Sequence, residues 1–416
     1  MANRRASISE KVSIHLARWV VPVTRPAVEN GGVAVSQGRI VSVGQKTDLF
    51  KTYSPKRNQI VDHGDCVIMP ALTNGHCHLE FSFAQGLIPE GLGFSRWLRQ
   101  AMRLRQEWFG QRDEKILASA VEGLDSLLKE GVYGLADVGN ANLGASILQA
   151  CEKGRCCAVS FSEVIHPVEQ DVVLKDGNAF DTGCGSFAFS AHSVYTCSRQ
   201  AIHKIYTWCM SRGLPFSIHC SESPEEMEFV KTGQGPIAEI LRERGRRIEA
   251  FFTTAYSPVR LLEEAKVLGP KTICVHCTHV DRNDLELLSK RRCHVCLCPG
   301  SNEYIGSGRA PVHEIFNTLA ERVCLGTDSL ASNWNLSIFS EMKRVAKLSP
   351  HIPPAQIVRA ATINGAKALG FSDRLGSLEP GKTLPFLVIE TSSIKDGDIY
   401  EFICCSPDSF TLKVVC

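Results

Sequence analysis

No stretch of this chain approaches the ~20 uninterrupted apolar residues that a membrane-spanning helix needs. Met1-Ala-Asn-Arg-Arg5 has the basic character of an export leader, but polar residues follow and Arg18 interrupts the apolar run, so a cytoplasmic protein is expected. No charge of one sign dominates either: 46 Lys and Arg stand against 44 Asp and Glu, a formal net charge of +2. That balance gives no electrostatic footprint for nucleic acid, an anionic membrane or a polyanionic partner. Basic residues are scattered, and the run Arg242-Glu-Arg-Gly-Arg-Arg247 reads as the solvated face of a helix. No Gly-x-Gly-x-x-Gly turn follows any strand candidate, which argues against an open dinucleotide-binding sheet.

Cysteine is abundant, at 18 residues. A disulfide framework belongs to small secreted chains, and 416 residues without an export signal do not fit one. Most of these cysteines sit in apolar strand-like runs and read as small hydrophobic filler. Cys293, Cys296 and Cys298 invite an iron–sulfur or zinc site, but their spacing also suits a strand that alternates faces.

The two ends of the chain share a texture of short alternating segments: Gly31 to Cys66, with a glycine turn, and the last ~40 residues, with Leu384–Ile389 and Phe410–Val415. Neither end can bury a core alone, so pairing them into one small β-sandwich domain is expected. Between them, strand candidates alternate with helical patterns such as Glu114–Leu128. The strands are Val67–Leu72, Tyr133–Val138, Ala158–Phe161, Phe187–Ser190, Pro215–Ile218, Thr272–Val275, Val295–Leu297 and Val323–Leu325. Eight such units predict an α/β chain, a (β/α)8 TIM-type barrel. The expected division is residues 1–67 and 376–416 for the small domain and 68–375 for the barrel.

Ligand-type side chains fall just past the C-terminal ends of these strands, the face where such barrels keep their active sites. His76 and His78 stand at i and i+2, so in an extended chain both imidazoles point one way, and the small Gly75 lets backbone come close. His219 ends a separate strand, with Glu222 three residues later; Asp328 ends another and offers a hard oxygen. Each has a plainer reading, His219 as a satisfied core residue and Asp328 as a turn or N-cap residue before a helix near Asn335. Four such residues at strand ends on one rim favour a metal site.

The ordered set Leu72-Thr-Asn-Gly-His-Cys-His-Leu-Glu80, Ala191-His-Ser-Val-Tyr-Thr196, His219-Cys-Ser-Glu222, Val275-His-Cys-Thr-His279, Cys298-Pro-Gly-Ser-Asn302, Gly326-Thr-Asp-Ser329 and Ala361-Thr-Ile-Asn-Gly-Ala-Lys367 resembles the amidohydrolase superfamily. Within it, the likeness is to the branch of nucleoside, guanine and cytosine deaminases and triazine hydrolases. Leu384 and Pro385 depart from the family pattern after Leu378-Glu-Pro-Gly-Lys382, in the β domain.

The resemblance implies that His76, His78, His219 and Asp328 hold one divalent ion, Zn2+ ahead of Fe2+. A second ion is not expected, because Gly185–Ser193 contains no lysine to bridge it. It also implies catalytic roles for Glu222, His276 and Asp328: hydroxide attacks the amino-bearing ring carbon, Glu222 relays the water proton to the ring nitrogen, and Asp328 or Glu222 protonates the departing amine, releasing ammonia. The Pro-Cys-x-x-Cys motif of the other zinc deaminase fold is absent.

His78-Leu-Glu-Phe-Ser82 and Gly91-Leu-Gly-Phe-Ser-Arg-Trp-Leu98 are most similar to the aminodeoxyfutalosine deaminases of the alternative menaquinone pathway, with methylthioadenosine/S-adenosylhomocysteine deaminases as relatives. Glu80, Trp97, His192 and His279 are the expected substrate contacts, Glu80 either to ribose hydroxyls or as a carboxylate that orients a ligand histidine. The alternatives are hydrolysis of another heterocycle and a catalytically silent metal-binding protein. A small-molecule substrate and a homodimer complete the expectation.

Overall fold

The computed structural model describes residues 12–153, 156–165, 174, 185–246, 248, 256–383, 385–390, 398–406 and 410–416; Met1–Arg5, Arg247 and Leu384 lie outside them. The first described strands are β1 (Val12–Val20), β2 (Val28–Ser36), β3 (Arg39–Gln45), β4 (Ile60–Asp62) and β5 (Cys66–Pro70). A second set follows: β6 (Leu72–Cys77), β7 (Val132–Gly139), β8 (Cys157–Val164), β9 (Gly185–Ala191), β10 (Phe216–Cys220), β11 (Thr272–His276), β12 (His294–Leu297) and β13 (Val323–Leu325). β14 (Phe386–Glu390) and β15 (Thr411–Val415) close the chain.

The two chain ends form one sheet in the order β15-β14-β5-β1-β2-β3. β1 forks there, pairing with β4 over Ile14–Leu16 and with β5 over Trp19–Val20. Apolar side chains of β2 and β3 (Val33, Val35, Ile40, Val43) meet those of β5 and β14 (Ile68, Phe386, Val388) in one cluster. The single strand expected over Val67–Leu72 is therefore two. Cys66–Pro70 pairs with β1 and β14, and after Ala71 the chain enters the barrel at Leu72. An unbroken apolar run hides such a change of sheet, because both halves are buried.

β6 to β13 run parallel in sequence order, and a bridge from Cys77 to Asp328 closes the barrel. Successive residues alternate between two cores. Leu135, Ala158, Ile218, Cys274, Val295 and Val323 pack outward against the helices, while Ala136, Val159, Val275, Cys296 and Cys324 fill the interior. Cys293 packs in the outer cluster and Cys296 and Cys298 in the inner one, as strand alternation requires.

Helix starts follow capping chemistry: the side chains of Ser198, Asp281 and Ser337 accept N–H bonds from Ala201, Asp284 and Ser340. Ser337, not Asp328, caps the helix Ile338–Leu348. The motif at Ala361–Lys367 lies beneath the barrel, where the Asn364 amide donates to the Val323 carbonyl at 2.9 Å and Gly365 leaves room for Thr73. Among the described residues no helix is long and apolar enough to cross a membrane.

Candidate active site

The strand ends are stitched into one rim. His192 N–H donates to the Val164 carbonyl, His219 N–H to the His192 carbonyl, and Cys277 N–H to the Cys220 carbonyl, each at 3.0 Å. The ring closes through Thr327 and Asp328, whose N–H groups both reach the His76 carbonyl, at 3.0 and 3.1 Å. Close approach demands glycine here. A Cβ on Gly326 would meet the His76 carbonyl at 2.8 Å, and one on Gly75 would meet the Cys324 and Cys296 sulfurs at 3.0 and 3.1 Å. Ser221, His276, Cys277 and Asp328, all on this rim, hold positive φ angles of 53, 72, 49 and 59°. Such conformations are costly for residues with side chains and persist where the surroundings over-determine them.

The donor atoms of His76, His78, His219 and Asp328 all lie within 4.8 Å of one another. The Asp328 Oδ1 stands 3.3 Å from His78 Nε2 and 3.7 Å from His76 Nε2. His219 Nδ1 donates to the His192 carbonyl at 2.9 Å, which leaves the Nε2 lone pair of a neutral ring facing His76 Nε2 at 3.1 Å. Burial lowers the pKa of all three histidines, to about 4 for His78, and so favours the neutral imidazole that ligates metal. Burial opposes the charged form of Asp328, yet the hydrogen bond to His76 and the nearby histidines hold its carboxyl well below the usual range. Ser301 and Ser332 hydroxyls donate to its Oδ2 at 2.6 and 2.8 Å and fix its orientation. Three imidazoles and one carboxylate, converging in a buried site, fit one divalent ion.

The carboxylate of Glu222 stands beside this cluster, with Oε1 3.7 Å from His276 Nε2. Burial, then the charge of Asp328, pushes the Glu222 pKa well above the usual range. Asn302 Oδ1 sits 3.0 Å from His276 Nδ1 and sets that ring's orientation.

A cavity opens over the rim, bordered by His78, His192, His219, Glu222 and Asp328 and walled by the helix Phe94–Trp108. Trp97 lines it, pinned by an indole N–H bond to the Ala331 carbonyl at 2.9 Å. His192 lines it too, its Nδ1 lying 3.0 Å from the hydroxyls of Ser193 and Thr196. Two expected substrate contacts are turned elsewhere. Glu80 Oε2 accepts the N–H groups of Asn140 and Ala141, both at 2.8 Å, and the side chain borders a neighbouring cavity with Asp137 and Gly139. His279 gives its Nε2 proton to the Ser307 carbonyl at 2.6 Å.

Sequence reasoning missed Glu163, which lines the cavity and whose Oε1 lies 3.7 Å from His219 Nδ1. Burial, then the charge of Glu80, raises its pKa to about 8. The third barrel strand runs on past the expected end at Phe161 to Val164, and the continued alternation points Glu163 inward at the rim. Glu80 reaches this residue indirectly, because the Asn140 amide it anchors carries the side chain that bonds Glu163 at 3.3 Å.

A family model described as "Amidohydrolase family" matches residues 67–413. The chain is 29% identical over 383 residues to a 5-methylthioadenosine/S-adenosylhomocysteine deaminase of Syntrophobacter fumaroxidans, covering 86% of this chain and 80% of the relative. Among solved structures it is similar to the Helicobacter pylori aminofutalosine deaminase in complex with methylthio-coformycin, with TM-score 0.78, 21% identity and coverage of 94% and 95% of the two chains. It is also similar to a zinc-bound adenosine deaminase of Xanthomonas campestris, with TM-score 0.76, 23% identity and coverage of 94% and 88%. The rim of three histidines and an aspartate is thus carried on a fold shared with these enzymes, and the chain belongs to the amidohydrolase family, as a hydrolase of C–N bonds.

Proposed function

We propose that this protein is a metal-dependent deaminase of adenine nucleosides of the aminodeoxyfutalosine or methylthioadenosine/S-adenosylhomocysteine type. The observation that carries the reading is Glu222, a buried carboxyl group with a raised pKa beside the four-ligand cluster and inside the same cavity. Hydrolytic deamination needs a group that takes up a proton and hands it on, and a carboxyl group in this place can do both, whereas a silent metal site has no use for one. The named activities of the relatives point the same way.

His76, His78, His219 and Asp328 hold the ion, with Zn2+ preferred for a nitrogen-rich set of four. When bound, the ion supplies Lewis acidity and makes water a nucleophile at neutral pH. The remaining work belongs to side chains. Glu222 takes a proton from the attacking water and passes it to the ring nitrogen next to the amino-bearing carbon, which prevents negative charge from building there. A carbon–oxygen bond forms, Asp328 or Glu222 carries the second water proton to the departing amino group, and the carbon–nitrogen bond breaks to release ammonia. His276, held by Asn302, orients the water. His192 and Trp97 border the base, and Glu80 acts at one remove by fixing Asn140 and hence Glu163.

The test is an ultraviolet deamination assay on adenosine, methylthioadenosine, S-adenosylhomocysteine and aminodeoxyfutalosine, with metal content measured on the same sample. Ammonia release from at least one is expected. A fully metal-loaded protein that turns over none of the four overturns the nucleoside reading in favour of another heterocycle.

A further inference from the structure

The helix Ile338–Leu348 packs against β13 and the short helix Pro299–Ile305, and it carries an acidic residue that the proposed reaction does not use. Glu341 is wholly buried. Both of its oxygens accept hydrogen bonds: Oε2 takes the Gly300 N–H at 2.7 Å and Oε1 the Asn333 side-chain amide at 3.1 Å. The Arg344 guanidinium stands 3.5 Å from Oε1. The Gly300 N–H belongs to the first turn of its helix, where no carbonyl of that helix can serve it. Glycine is demanded at this point. A Cβ there would run into Glu341 Oε1 and stand 2.7 Å from Asn333 Nδ2.

Each partner leads on to the rim. Directly after Gly300, the Ser301 hydroxyl donates to Asp328 Oδ2 at 2.6 Å, and Asn302 Oδ1 lies 3.0 Å from His276 Nδ1. The Asn333 amide also donates to the Thr327 carbonyl at 2.8 Å, one residue before Asp328. One carboxyl group therefore ties the segment after β12 to the segment after β13, and together these hold Asp328 and the ring of His276. A buried carboxyl group is a poor source of stability, since a packed apolar side chain of its size often does as well or better. What it gives is a fixed register between the groups that donate to it. We propose that Glu341 is a positioning residue, which sets metal affinity and turnover by fixing Asp328 and His276 through Gly300 and Asn333. The effect on turnover rests on the deaminase reading; the effect on metal affinity rests only on the four-ligand cluster.

The test compares Glu341→Gln with Val345→Ala, which removes buried apolar bulk from the same helix without touching these bonds. Glutamine keeps the shape of the side chain but accepts with only one of its two ends, because its amide nitrogen meets a donor whichever way it turns. Gly300→Ala is a second route, since it pushes the carboxyl group off its donors without removing it. Zn2+ affinity is read by chelator competition, stability by thermal melting, and kcat and KM on the fully metal-loaded proteins. Glu341→Gln and Gly300→Ala are each expected to weaken Zn2+ binding by about 10–100-fold. In the loaded enzymes kcat is expected to fall by about tenfold or more with KM little changed. Val345→Ala is expected to melt earlier yet bind Zn2+ as the wild type does. Placed on Ser301→Ala, Glu341→Gln is expected to cost less Zn2+ affinity than it costs in the wild type, because both act on Asp328 along one path. Wild-type Zn2+ affinity in a destabilised Glu341→Gln protein overturns the proposal, as do equal losses of affinity in the two backgrounds. A metal-loaded wild type that turns over no nucleoside refutes the deaminase reading, while the chelator competition still decides the role of Glu341.

Discussion

Two histidine pairs in this chain bring ring nitrogens to the same separation, 3.1 Å: His76 with His219 on the barrel rim, and His15 with His63 in the terminal sheet. Only the rim pair is part of a metal-capable set. There a third imidazole and the Asp328 carboxylate converge on the same point, and a serine pair aims the carboxylate. His15 and His63 instead stack at 5.4 Å with the edge of Phe386 alongside, and Lys413 adds positive charge nearby. Among the described residues neither joins a cluster of three ligand-type groups. Close imidazoles therefore do not make a metal centre; a buried anion and a fourth donor do.

The sharpest way to break that comparison is to exchange the consequences of losing one partner. Asp328→Ala is expected to strip the ion and to lower hydrolysis by at least ~10³-fold, since the nucleophile depends on the metal, whereas His15→Ala leaves metal content unchanged. Metal analysis of both purified variants checks this, and metal loss in His15→Ala would erase the distinction. Glu222→Gln is expected to cut turnover by about 10²–10⁴-fold while the ion stays bound. Loss of metal in that variant would make Glu222 a support of the ligands and not a proton carrier.

Ser301→Ala and Ser332→Ala are expected to weaken metal affinity by about 10–100-fold each, because outer hydrogen bonds orient ligands. Competition with a graded series of chelators reads this out. The smallest effect concerns the other pair. Burial, then the neighbouring His63, lowers the pKa of His15 to about 4 from 6.5. As pH falls below about 6.5 the unfolded chain binds a proton that the folded His15 refuses, so stability present above that pH is lost progressively down to about 4. The half-exposed setting screens the effect to on the order of 1 kcal/mol. The melting temperature of His15→Gln should accordingly fall less than that of the wild type between pH 7 and pH 5, by about 1–2 °C.

The barrel and the convergence of His76, His78, His219 and Asp328 were legible because both rest on local regularities. Alternation of strand and helix, and polar residues just past strand ends, are visible in one dimension. Cysteine as filler was equally legible: fifteen of the seventeen described cysteines are buried, all are free, and only Cys405 and Cys416 are exposed. The split of Val67–Leu72 between two sheets was not, since burial is the same on either side of Ala71. Nor was the direction of Glu80. Spacing from His78 suggested the same side, but Leu79–Ala84 forms a 3₁₀ turn, and period-two reasoning fails once the chain leaves the strand.

Taken alone, then, the order of residues determined the fold class and singled out His76, His78, His219, Asp328 and Glu222, which the structure gathers on one rim, because hydrophobic period and motif spacing are properties of neighbours along the chain. Tertiary structure decided which polar groups share a cavity. It turned Glu80 and His279 toward backbone partners, brought Glu163 and Arg105 to the wall, and set two serines behind Asp328. Those outcomes depend on strand register and on barrel closure between residues some 250 apart, as in the pair Cys77 and Asp328, and no local pattern encodes them.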